Sequence, residues 1–214
     1  MKKILFQGDS ITDSQRFKEY PDHMGSGYAI MAAGELGYKY PGEYEFENRG
    51  ISGNKSNDVY ARIQTDIIDV APDVMSLLVG VNDVWHEIDY GIGLPAEAFT
   101  ENVSKIIEET KAAFPDIKIM LLEPFILEEY DTRSTEEKPH KWETFKSEVF
   151  LRAKLTRELC EKYSLKFVPL QKKFEKAAET TGNAYWASDG VHPTPAGHEL
   201  IAREWIKAFE EIKG

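Results

Sequence analysis

Lys3-Ile4-Leu5-Phe6-Gln7-Gly8-Asp9-Ser10-Ile11-Thr12 begins with a short apolar run, closes it with a glycine, and sets a hydroxyl two residues later. A run of this length bounded by a turn residue reads as a strand buried on both faces. Four more runs follow the same grammar. Residues 44–48 lead into a loop carrying Gly50 and Gly53, and 73–79 is the most strand-like stretch in the chain, broken by Gly80 into what reads as another loop. Residues 117–122 precede Pro124, and 165–168 complete the set.

Helical patterns separate these runs. Residues 27–36 read as a helix ended by Gly37; Val59, Ile63, Ile67 and Val70 then recur at helical spacing until Pro72 stops them. Ala96, Phe99, Val103, Ile106, Ile107 and Phe114 draw a second stripe, and Phe145, Val149, Ala153, Cys160 and Tyr163 a third. A short helix is expected over 174–180. In the last helix Thr194 can cap, Pro195 suits the first position, and Leu200, Ile201, Trp205, Phe209 and Ile212 form the buried face. Segment 128–141 is highly charged and has no period, as in a lid, a partner contact or a mobile connection.

Five apolar strands alternating with helices require right-handed crossovers that cover both faces of a parallel sheet. The expected fold is a three-layer α/β/α doubly wound domain with a five-stranded parallel sheet. No linker, repeat or low-complexity tract divides the chain, so residues 1–214 are read as one domain.

Composition narrows the function. Among 214 residues, 26 Lys plus Arg stand against 37 Asp plus Glu, a net charge of −11. The summed field repels phosphate backbones and anionic lipid, so neither nucleic acid nor a membrane is an expected partner. A single cysteine, Cys160, excludes an internal disulfide and a multi-thiolate zinc site, and its place on an apolar stripe marks it as a small buried hydrophobe. Met1-Lys2-Lys3 begins like a secretion signal, but only Ile4-Leu5-Phe6 follows, far short of a hydrophobic signal core. No run approaches the roughly 18 apolar residues of a membrane span. The expectation is a soluble, cytoplasmic protein.

In doubly wound sheets, functional groups collect beyond the carboxyl ends of the strands. There the first strand delivers Ser10, and the second delivers Asn48-Arg49-Gly50-Ile51-Ser52-Gly53-Asn54, whose glycines let backbone N–H groups approach a ligand. The third delivers Gly80-Val81-Asn82-Asp83, in which the Asn82 amide is a neutral donor suited to a developing oxyanion. Near the C-terminus, Asp189 stands three residues before His192, so it can fix Nδ1–H while Nε2 faces a hydroxyl. Each feature alone has a bland explanation as a turn, cap or loop residue. Their coincidence at one sheet edge does not.

At these four blocks, Gly8-Asp9-Ser10-Ile11-Thr12, Ile51-Ser52-Gly53-Asn54, Gly80-Val81-Asn82-Asp83 and Asp189-Gly190-Val191-His192-Pro193, the chain resembles the SGNH hydrolase superfamily, or GDSL esterases. The resemblance spans essentially the whole chain. It implies a flavodoxin-like strand order 2-1-3-4-5 and a shallow site needing neither metal nor cofactor. It implies Ser10 as nucleophile, His192 as base and then acid, and Asp189 as its orienting partner. The Ser10 and Gly53 backbone N–H groups and the Asn82 side chain would form the oxyanion hole.

The wider context, Gly80-Val81-Asn82-Asp83-Val84-Trp85 and Val191-His192-Pro193-Thr194-Pro195-Ala196-Gly197-His198, is most similar to the intracellular carbohydrate O-deacetylases of that superfamily, such as acetyl-xylooligosaccharide esterases. The implied substrate is a small ester, above all an acetylated oligosaccharide. Trp85 and Trp186 are candidate sugar-binding aromatics, with core packing as the alternative. Asp9 is expected to hold the turn through backbone N–H groups, and His198 to be packed in the last helix. Lysophospholipase, thioesterase or arylesterase specificity stays open, as does a non-enzymatic flavodoxin-like binding domain. The sequence leaves the number of subunits open, a homo-oligomer included.

Overall fold

The computed structural model describes residues 1–20 and 22–213. Its elements run β1 (Lys2–Gly8), α1 (Ser10–Asp13), α2 (Tyr28–Lys39), β2 (Tyr44–Asn48), α3 (Ser56–Ala61), β3 (Val74–Leu78), α4 (Val81–Tyr90), α5 (Ala96–Ala113), β4 (Lys118–Leu122), α6 (Lys141–Tyr163), β5 (Lys166–Val168), α7 (Gln171–Thr181) and α8 (Pro195–Ile212). The five strands pair in the order β2-β1-β3-β4-β5, every pairing parallel. This is the expected topology. Strand order reverses between β1 and β3, and Ser10 follows β1 at that switch point.

Strand alternation distributes the core to two layers. Ile4 and Phe6 of β1 face a cluster built with α2, α7 and α8, while Leu5 faces another built with α3, α5 and the C-terminal part of α6. Trp205 of α8 is fully buried and stacks on both Phe6, at 4.8 Å between centroids, and Phe209, at 5.3 Å. Truncating it leaves a void that neighbours in a close-packed interior cannot fill. Trp205→Ala is therefore expected to lower unfolding free energy by about 3–5 kcal/mol, read as a fall in the urea midpoint at unchanged slope.

Three local readings are corrected. Residues 81–90, expected as a loop, form α4. Val81 and Val84 are buried and Trp85 and Ile88 pack on the core, a helical stripe obscured by the polar residues between them. Gly80 at φ +127° breaks the strand and Gly91 at φ +67° ends the helix, which is why both are glycine. The helix expected to end at Gly37 continues through it to Lys39. The stripe from Val59 to Val70 is not one α-helix: α3 stops at Ala61 and a π-turn spans Gln64–Ile68. Between them lies Arg62, whose guanidinium donates to Gln7 Oε1 at 2.7 Å, Gly8 O at 3.1 Å and Arg49 O at 2.7 Å. Three strand-end groups are tied by one side chain.

Candidate active site

Because all strands run the same way, their carboxyl ends share one edge, and the loops beyond β1, β2 and β3 meet there. Asp9 caps α1: its Oδ1 accepts the Ile11 N–H at 3.0 Å, as expected of a turn-holding residue. Its carboxyl is fully buried with Oδ2 unpaired, and burial pushes its pKa up to about 7 against the Ile11 hydrogen bond and the nearby His192. Ser10, the first residue of α1, keeps a backbone N–H with no intrahelical acceptor.

Asp13, which the sequence did not single out, locks the second block onto the first. Its Oδ2 accepts both the Ser52 N–H at 2.9 Å and the Ser52 hydroxyl at 3.0 Å. Asn48 adds a second tie, donating Nδ2 to the carbonyls of Thr12 at 2.6 Å and Met24 at 2.8 Å. For Asn48, the available signal was a polar residue closing a strand. Gly53 adopts φ +81°, a conformation that favours glycine. Asn82 is buried at the start of α4, and its Nδ2 donates to Asn54 O at 3.1 Å. An amide nitrogen carries two hydrogens, so one remains for a ligand.

The remaining loop is held by a single carboxylate. Asp189 Oδ1 accepts the backbone N–H groups of Val191 at 2.8 Å and His192 at 2.7 Å, and Oδ2 lies 2.6 Å from His192 Nδ1. An ionised carboxylate has no proton to give, so Nδ1 donates and Nε2 is the ring's free acceptor. Ser10 Oγ lies 2.8 Å from that Nε2. Residues separated by 182 positions thus form one hydrogen-bonded chain of hydroxyl, imidazole and carboxylate.

The electrostatics agree with this order. Burial works against ionisation of Asp189, but the His192 ring and the two backbone N–H groups outweigh it and hold the carboxyl below its usual range. The hydrogen bond to Asp189 raises the His192 pKa, opposed by partial burial and assisted by the charges of Asp189, Asp9 and Asp131. A cavity of about 300 Å³ opens beside the pair, with Ser14, Gln15, Ser52 and His198 among its walls. His198 accepts the Tyr28 N–H through Nδ1 at 3.1 Å, and burial depresses its pKa to about 4, so it stays neutral and packed as expected. Cys160 is likewise buried, its pKa raised to about 12 by that burial.

The two candidate aromatics part company. The Trp85 ring lies 5.8 Å from the His192 ring. Trp186 makes local contacts instead: its Nε1 donates to Thr181 Oγ1 at 2.8 Å and its ring packs on Tyr185.

Residues 6–200 match the model of the GDSL-like Lipase/Acylhydrolase family. The chain belongs to that family. As a GDSL-like acylhydrolase it is a hydrolase acting on esters. It is 31% identical to an acetylxylan esterase of Geobacillus stearothermophilus over 99% of this chain and 96% of the relative. The crystal structure of that organism's esterase Axe2 superposes with a TM-score of 0.84 at 30% identity, covering 97% of this chain and 93% of the other. A protein of Parabacteroides merdae described as a GDSL-like lipase superposes with a TM-score of 0.90 at 34% identity, covering 98% of this acylhydrolase and 95% of that chain. Among the described residues no helix is long and apolar enough to cross a membrane.

Proposed function

We propose that this acylhydrolase is a serine esterase that removes small acyl groups, above all O-acetyl, from carbohydrates through an acyl-enzyme on Ser10. The observation that carries the reading is the bonded chain Ser10–His192–Asp189. His192 Nε2 takes the hydroxyl proton as Ser10 Oγ attacks the ester carbonyl, and the oxyanion of the tetrahedral intermediate is held by the Ser10 and Gly53 N–H groups and the free hydrogen of Asn82 Nδ2. Collapse expels the alcohol, which takes its proton from His192. Water then repeats the sequence on the acyl-enzyme and releases the acid.

The acetyl and carbohydrate parts draw support from the acetylxylan esterase similarity and from Trp85 beside His192, where an apolar ring face can meet a sugar. Catalytic mutants of Axe2 replace one serine by alanine and, in another case, one aspartate by alanine, the residue types assigned here to nucleophile and orienting partner. A cytoplasmic setting belongs to the same reading and is checked by cell fractionation.

The test is twofold. An organophosphonate ester should label Ser10 alone, read by peptide mass spectrometry. A panel of acetylated xylo-oligosaccharides, lysophospholipids, acyl thioesters and aryl esters should give its highest kcat/KM on the first class. Preference for any other class would overturn the carbohydrate assignment while leaving the nucleophile intact. Asn82→Ala removes one oxyanion donor and is expected to lower kcat by about 10²–10³, or roughly 2.7–4 kcal/mol, with little change in KM.

A further inference from the structure

Segment 128–141 supplies no reacting group in the chemistry above, yet it is tied at both ends to groups around His192. At its start, the Leu127 N–H donates to Gly190 O at 2.9 Å and the Asp131 N–H to Asp189 O at 3.0 Å. The Asn183 amide holds Glu128 O at 3.1 Å. Gly190 admits this approach because it has no side chain: a Cβ there would lie 2.4 Å from Leu127 O, and its φ is +97°.

The far end converges on a single carboxylate of α4. Asp89 Oδ1 accepts from Lys138 Nζ at 2.7 Å and from Lys141 Nζ at 2.9 Å. Its Oδ2 accepts the indole N–H of Trp85, one helical turn earlier, at 2.6 Å. Only 18% of the Asp89 side chain and 11% of that of Lys141 remain accessible, so water competes weakly for this contact. Burial disfavours the Asp89 charge, but the bonds from Lys138, Lys141 and Trp85 outweigh it and keep the carboxyl below its usual range. Segment 128–141 therefore bridges the Asp189–His192 loop to the helix bearing Trp85.

That bridge has a chemical consequence. The leaving alcohol must take its proton from His192 Nε2, so its oxygen sits within hydrogen-bond reach of that atom. The rest of the alcohol then extends past the groups beside the imidazole, and the Trp85 ring is one of them.

We propose that Asp89 is a positioning residue: by clamping Lys138 and Lys141 to the Trp85 indole, it fixes Trp85 and segment 128–141 as a wall for the alcohol part of the ester, so that large alcohols are selected. This rests on the esterase reading and extends it to the choice of alcohol. Asp89 touches no reacting atom.

Two variants cut the clamp from opposite sides: Asp89→Ala, and Lys138→Ala with Lys141→Ala. Each is assayed on an acetylated xylo-oligosaccharide and on ethyl acetate, whose two-carbon alcohol offers little to a distant wall. Both variants are expected to raise KM for the oligosaccharide about tenfold, the worth of one lost aromatic contact, with kcat changed much less. Ethyl acetate hydrolysis should fall by a smaller factor. Trypsin should also cut after Arg133 faster in both variants, a readout independent of activity.

A parallel loss on the two esters, an unaltered oligosaccharide KM, or an unaltered trypsin rate would overturn the clamp. A wild-type enzyme inactive on both esters would sink the acetyl-carbohydrate reading and the wall with it. A wild type active on both, with variants that behave identically to it, would sink the wall alone. Should Asp89→Ala fail to fold, the paired lysine variant decides the matter.

Discussion

Ser10→Ala is expected to lower kcat for ester hydrolysis by about 10⁶-fold while leaving the protein folded, the scale on which loss of a serine nucleophile acts in such a bonded unit. The size follows from the geometry. Ser10 Oγ makes a single side-chain hydrogen bond, to His192 Nε2, so alanine removes the attacking atom and leaves no buried partner unpaired. The neighbouring oxyanion donors remain and can still bind substrate, so KM should move far less than kcat. Rapid-quench trapping with an ester labelled in its acyl group checks this: the wild type should retain label on Ser10 and the variant none. Turnover by Ser10→Ala at even a tenth of the wild-type rate would remove Ser10 from the mechanism.

Asp189→Asn should cost about 10⁴-fold in kcat. An amide at that position can donate to Nδ1 and stabilise the wrong tautomer, placing the proton on Nε2, where it blocks acceptance from Ser10. The pH profile carries a second signature. Hydrogen bonding to Asp189 raises the His192 pKa, and the base must be neutral to act, so wild-type kcat/KM should rise with pH through a value above that of an unperturbed histidine. Removing the carboxylate charge lowers the His192 pKa, and the acid limb should shift toward lower pH even as the plateau falls. An acid limb that stays in place would mean that it reports another group, with Asp9, at a pKa of about 7, the first to examine.

Legibility along the chain followed local contrast. Strands such as Val74–Leu78 are apolar at nearly every position because both sheet faces are covered, and they stand out from the flanking polar turns. Helix α4 lacked that contrast: Asn82, Asp83 and Glu87 interrupt its apolar stripe, and two of these polar residues are buried for reasons outside the helix. Asp83 accepts the Ser56 N–H at 3.0 Å and the Ser56 hydroxyl at 2.5 Å, while Asn82 reaches Asn54 O. A pattern read within a window treats such residues as solvent-facing. Arg62 and Asp13 were missed for the same reason, since the groups they bind at and beyond other strand ends, Gln7, Gly8 and Arg49 for Arg62 and Ser52 for Asp13, are remote in sequence.

The sequence alone determined the alternation of strand and helix, the resulting parallel sheet, and the positions of Ser10, Asn82, Asp189 and His192 within their motifs, because these depend on short-range periodicity and residue chemistry. Tertiary structure alone decided that Ser10 and His192 lie 2.8 Å apart, that Trp85 stands beside His192, and that Lys138 and Lys141 reach Asp89. Those contacts join distant parts of the chain. Their distances are set by how helices pack on a twisted sheet, and no local pattern encodes them.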